Sequence, residues 1–204
     1  MSEPIDRRSA LKIAVAVPLS SSFVLSPSEA DQARRVSQTA RAAAAANGHA
    51  YQRLFFTDHE WETVRTLVDM IIPADERSGS ATDAGVPEFI DFVVSDQANR
   101  QTPIRGGLRW LDGECHERFA KTFVESSDAE RRQVLDDIAW PARARPEFSH
   151  GVAFFNSFRD LTAGGFWSSR TGIDDLQYTG NTYVAQWDGC PPAALQKLGV
   201  RYSD

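Results

Sequence analysis

The sequence predicts an all-α protein, a compact bundle of about five helices followed by a long irregular C-terminal tail rich in aromatic residues. Three observations carry this prediction. Apolar residues recur at three- and four-residue intervals through the middle of the chain, Ser/Thr-x-x-Glu capping boxes and prolines punctuate those runs, and no stretch alternates apolar and polar residues for long. With 204 residues, 42% of them hydrophobic, the chain can bury an ordinary core as one domain.

Residues 1–30 read as a twin-arginine signal peptide. Arg7 and Arg8 precede an apolar stretch from Ile13 to Leu25 that Pro18 and Ser20 to Ser22 interrupt, a run too short to span a bilayer comfortably. Leu11 and Lys12 keep the twin-arginine pattern, while Asp6 and Ala10 depart from it. Ser28-Glu29-Ala30 offers a small-x-small cleavage site, and the alternative is an N-terminal helix anchor or disordered arm. The twin-arginine route carries proteins that are already folded, so it implies a periplasmic location and a partner or cofactor acquired in the cytoplasm. The chain has no cofactor motif, which favours a partner. Membrane contact is expected only through the signal or the complex. Residues 31–50 are Ala-, Arg- and Gln-rich with almost no large apolar side chain, and read as a linker.

The helical domain is expected over residues 51–204. Thr57-Asp58-His59-Glu60 is a capping box, and Trp61, Val64, Leu67, Val68, Ile71 and Ile72 form the apolar face of a first helix ended by Pro73. A polar loop from Ala74 to Gly85 leads to Pro87, which suits the first turn of a second helix carrying Phe89, Ile90, Phe92 and Val93. The third runs from about Thr102 to Val124 with Leu108, Leu111, Cys115, Phe119 and Phe123 on one face, Gly106 and Gly107 moving its start toward Leu108. Ser127 and Glu130 cap a fourth helix bearing Val134, Leu135 and Ile138, which stops near Pro141. The fifth starts around Pro146, includes Phe148, Val152, Phe155, Phe158 and Leu161, and closes at Gly164-Gly165. Beyond it, aromatics alternate with turn formers until a short helix around Pro192 to Leu198.

Composition and spacing exclude several chemistries. Lys and Arg number 22 against 28 Asp and Glu, a net charge of -6, which argues against nucleic-acid binding. Two cysteines and four histidines, without CxxC spacing, leave little for a metal site. His59-Glu60 and His116-Glu117 are sequence neighbours that point about 100° apart on a helix, so neither is a dyad. Asp69, Asp75 and Glu76 lack the ligand spacing of a calcium loop and read as a helix end and a solvated turn. No GxSxG, HExxH, GxGxxG or GxxxxGK pattern occurs, so no catalytic, cofactor or metal residue is assigned. Trp61, Trp110 and Trp140 fall at or near helical apolar positions and are expected in the core. Phe166, Trp167, Tyr178, Tyr183 and Trp187 of the tail form a candidate partner interface, because aromatics suit partly wet contacts. The alternative is a tail that wraps its own helices. Cys115 reads as core packing, and Cys190, between Gly189 and Pro191, as a candidate contact or bond to a partner chain.

The stretches Phe55-Phe56-Thr57-Asp58-His59-Glu60-Trp61, Ile71-Ile72-Pro73-Ala74-Asp75, Ala84-Gly85-Val86-Pro87-Glu88-Phe89-Ile90-Asp91, Gly107-Leu108-Arg109-Trp110-Leu111-Asp112 and Trp187-Asp188-Gly189-Cys190-Pro191-Pro192, with Leu195 and Gly199, resemble subunit 3 of gluconate 2-dehydrogenase, its small subunit. The resemblance runs from about Tyr51 to the C-terminus. It implies an α-helical, non-catalytic partner of a large flavoprotein of the glucose–methanol–choline type. In that family the large subunit holds FAD, electrons often pass to a cytochrome c, and the small subunit carries the export signal for both. Two alternatives are a subunit that lends loop residues to the dehydrogenase active site and a free-standing periplasmic binding module.

Overall fold

A computed structural model describes residues 25–177, 185–186 and 189–202. Among them are eight α-helices and no strand: α1 (Pro27–Ala46), α2 (Asp58–Ile71), α3 (Val86–Asp96), α4 (Ala98–Phe119), α5 (Asp128–Ala139), α6 (Ser149–Ser168), α7 (Arg170–Asp175) and α8 (Pro192–Leu198), with a 3₁₀ turn at Pro146–Phe148. The five expected helices correspond to α2–α6. Helix α6 packs against α1, α2, α3, α4, α5 and α7, so it is the hub of the bundle. Its buried face of Phe154, Phe155, Phe158, Leu161 and Phe166 meets Val64, Leu67, Phe89, Ile90, Leu108 and Ile138 in one core.

Helices α2 and α5 begin where the capping boxes place them. Glu60 N–H donates to Thr57 Oγ1 while Thr57 N–H donates to Glu60 Oε2 at 2.9 Å, and Ser127 and Glu130 repeat the arrangement. Helix α3 enters through Gly85, whose φ of 83° lies in the left-handed region that glycine adopts without a Cβ clash.

The segment 31–50 is not a linker. Helix α1 covers most of it and packs against α3 and α6. Large apolar side chains are unnecessary because Ala33 and Ser37 are small enough to let the helix lie close to its neighbours, and both are buried. Ser26 and Glu29 supply an N-terminal capping box, and the alanines supply helix propensity. Arg41 then ties the far end of α1 to the loop before α3 by donating from Nη1 to the Asp83 carbonyl at 3.0 Å. The folded body therefore starts upstream of residue 51.

Three boundaries also move. Helix α4 begins at Ala98, passes through Pro103 and Gly106-Gly107, and ends at Ala120 in the left-handed region, so Phe123 lies beyond it in a buried turn. Gly107 is a packing notch and not a start signal. A Cβ there would lie 1.9 Å from the Phe154 ring of α6. Likewise α6 continues through Gly164-Gly165 to Ser168, because Gly165 faces Phe89 and Val86. Trp61 is in the core as expected, Trp110 is half-buried, and Trp140 is 60% exposed in the turn after α5, outside the core.

Candidate functional site

Several polar residues within these motifs are engaged in holding the fold. Asp91 is buried in α3 within the apolar run Phe89 to Val94, and its carboxylate accepts hydrogen bonds from the backbone amides of Leu54, Phe55 and Phe56 at 2.7, 3.0 and 3.2 Å and from the Tyr51 hydroxyl at 3.1 Å. Burial, together with the Asp91 charge, raises the Tyr51 phenol well above its ordinary value, so the phenol remains a donor. This carboxylate fixes the chain entering α2. A lone Asp inside an apolar helical run was the available sequence signal for it, since a buried carboxylate is stable only when its lone pairs are occupied.

His59 and Asp112 come together across α2 and α4, with Nε2 and Oδ2 2.6 Å apart. The other Asp112 oxygen accepts the Phe123 amide at 2.9 Å, so the pair ties α2, α4 and the turn after α4. Residues 53 positions apart in sequence give no periodic signal of such a contact. Arg105 adds a second tie. It lies 4.1 Å from the Phe55 ring centroid, and donates to Glu60 Oε1 at 3.0 Å and to the Phe55 carbonyl at 3.1 Å.

The carboxylates around the α2–α3 loop act in the same way. Asp69 accepts the Thr82 amide at 2.7 Å, and Asp75 accepts the amides of Arg77 and Ser78 at 2.8 and 2.9 Å. The two Asp75 bonds hold its carboxyl below the ordinary range. Glu76 is exposed. Among the described residues no group of three or more His, Cys, Asp and Glu side chains is arranged to hold a metal ion.

The candidate interface residues separate. Phe166 is 1% exposed on α6 and belongs to the core, not to a tail; α6 extends past the glycines and carries it inward. Trp167, the next residue, points outward at 40% exposure and meets the Phe166 ring edge-on at 4.9 Å. Tyr178, Tyr183 and Trp187 lie outside the described residues, as do Arg7, Arg8, Leu11 and Lys12. Cys190 is exposed, and its amide donates to the Tyr202 hydroxyl at 2.7 Å. Cys115 is buried, its thiol pushed up chiefly by desolvation, and neither cysteine is in a disulfide. Leu176, Leu198, Val200 and Tyr202 add exposed apolar surface at the C-terminal end, and α8 has no buried residue.

A second apolar feature lies between α4 and α6. Pro103, Gly106, Gly107 and Trp110 on one side and His150 and Phe154 on the other line a groove of about 410 Å³. It exists because Gly106 and Gly107 contribute no side chain where the two helices meet.

In a comparison with known protein families, the chain matches the model described as gluconate 2-dehydrogenase subunit 3 over residues 58–189. This chain belongs to the gluconate 2-dehydrogenase subunit 3 family. The match takes in helices α2 to α7, from the His59–Asp112 tie to the α6–α7 corner, and ends just before Cys190. Neither the curated proteins nor the solved structures yielded a match. As a member of the family the chain is a subunit of a multi-subunit dehydrogenase complex.

Proposed function

We propose that this chain is the non-catalytic small subunit of a periplasmic FAD-dependent sugar or glycoside dehydrogenase of the glucose–methanol–choline type, needed for folding, stability and twin-arginine export of the catalytic subunit. The observation that carries the reading is the family match across the helical body. In that body the motif residues Asp91, His59 and Asp112 are occupied in tying helices together. The FAD belongs to the large subunit, which delivers electrons to an acceptor such as a cytochrome c.

Two further features support a role in binding. Large apolar groups are exposed at Trp167, Leu176, Leu198, Val200 and Tyr202, where a partner could remove them from water. The paired Arg7 and Arg8 ahead of an apolar stretch suit a route that carries folded cargo, so a preassembled complex could cross on one signal.

Expressing the large subunit with and without this chain tests the reading. With it, the dehydrogenase is expected soluble, flavin-loaded and in the periplasm; without it, aggregated or retained in the cytoplasm. A large subunit that is exported, soluble and fully active alone would refute the escort role.

A further inference from the structure

We infer that the chain is not cut after Ala30, and that Leu25 to Ala30 stays in the working subunit as the capped start of α1. The inference rests on the export reading only for the existence of a processing step. Its structural content stands apart from that reading.

Ser28-Glu29-Ala30 is the small-x-small triplet that a signal peptidase would use, yet it lies within the first turn of α1. That turn is built into the body. Ser26 N–H donates to Glu29 Oε2 at 2.8 Å and Glu29 N–H to Ser26 Oγ at 3.3 Å, closing the capping box. The Ser26 hydroxyl, which donates to Glu29 Oε2 at 2.6 Å, and the Ser26 amide together hold the Glu29 carboxyl below its ordinary range. Glu29 Oε1 also accepts from Gln97 Nε2, the residue between α3 and α4. Leu25 packs against the core beside Phe92 and Val93, and Ala33 is buried one turn further on.

A peptidase binds the residues around its scissile bond as an extended strand. Reaching the Ala30–Asp31 bond would require unwinding the cap, extracting Leu25 and withdrawing Ala33 from α3. The twin-arginine route makes this harder than general secretion would, because the body is already folded when the peptidase meets it. Cutting there would also leave α1 to begin at Asp31 without an N-cap, and would strip the first-turn amides of their i−4 carbonyl partners on residues 27–30. Any removal of a leader is therefore assigned upstream of Leu25.

The test is intact-mass measurement on the subunit recovered from cell fractions, for the parent chain and for Ala30→Leu, which removes the small residue the cut requires. Both are expected to give the same N-terminus, at or before Leu25. A parent chain beginning at Asp31, with the variant longer, would overturn the inference while leaving export intact. Recovery of both chains only from the cytoplasm would instead defeat the export reading. Hydrogen exchange on the uncut chain then decides the structural claim. Amides from Ala30 to Ser37 are expected to exchange at least about tenfold more slowly than a free chain, and free-chain rates there would overturn it.

Discussion

Asp91 is the most consequential polar side chain of the body, because it is buried and accepts from four donors on the segment entering α2. Asp91→Ala takes the acceptor from three backbone amides, the Phe56 one buried, and is expected to lower stability by about 3 kcal/mol, read as a shift in the denaturant midpoint. Asp91→Asn keeps the shape but places an NH₂ against those donors, so it should recover less than half of the loss. Glu130 illustrates a surface group whose effect depends on pH. Its hydrogen bond from the Ser127 amide, helped by Lys121 at 3.0 Å, lowers its pKa from 4.5 to about 2. Because the folded-state value is the lower one, the contribution is complete above about pH 4.5 and is lost as the pH falls through 2. Glu130→Gln should therefore lower the melting temperature at neutral pH and flatten its decline between pH 4.5 and 2.

Among the helices, α4 and α6 show how two adjacent glycines can have opposite roles. Gly107 meets the Phe154 ring, whereas a Cβ on Gly106 would have nothing within 4 Å. Gly107→Ala is expected to destabilise by about 2 kcal/mol through overpacking. Gly106→Ala should stabilise by roughly 0.5–1 kcal/mol through helix propensity. Thermal melts of the two variants moving in the same direction would contradict this account. The same crossing explains why the periodic pattern misplaced the start of α4: glycine in a sequence signals backbone freedom, but here it signals a neighbour's ring. The α6–α7 corner is similar. Gly172 donates to Ser169 Oγ at 3.0 Å, and a Cβ on it would lie 2.1 Å from the Phe166 carbonyl, which leaves no room for a side chain.

For the assembled complex, the adjacent pair Phe166 and Trp167 separates folding from binding. Phe166→Ala removes a core ring and should cost about 3–5 kcal/mol in stability. Trp167→Ala should cost clearly less, because the indole is partly exposed, and instead reduce recovery of the large subunit in a co-purification. Loss of stability without loss of complex at Trp167 would remove it from the interface. The all-α class, the cap-started helices α2 and α5, the apolar faces of α2 to α6 and the short C-terminal helix were all legible in the sequence. Capping boxes and 3.6-residue periodicity are local properties, and they report on segments of a dozen residues. Helix α1 was not legible, since its contact with the body uses Ala33 and Ser37, whose burial depends on how closely α3 approaches. The lone Asp91 in an apolar run hinted at an anchor but not at its partners, and the His59–Asp112 tie gave no signal, because the partners lie about 36 and 53 residues away and no spacing rule links them. The chain's own pattern therefore established which segments are helical and which family they belong to. Which small residues are notches, which carboxylates are anchors and which aromatics face outward depended on the packing of helices distant in sequence, since burial and hydrogen-bond partnership are properties of neighbours in space.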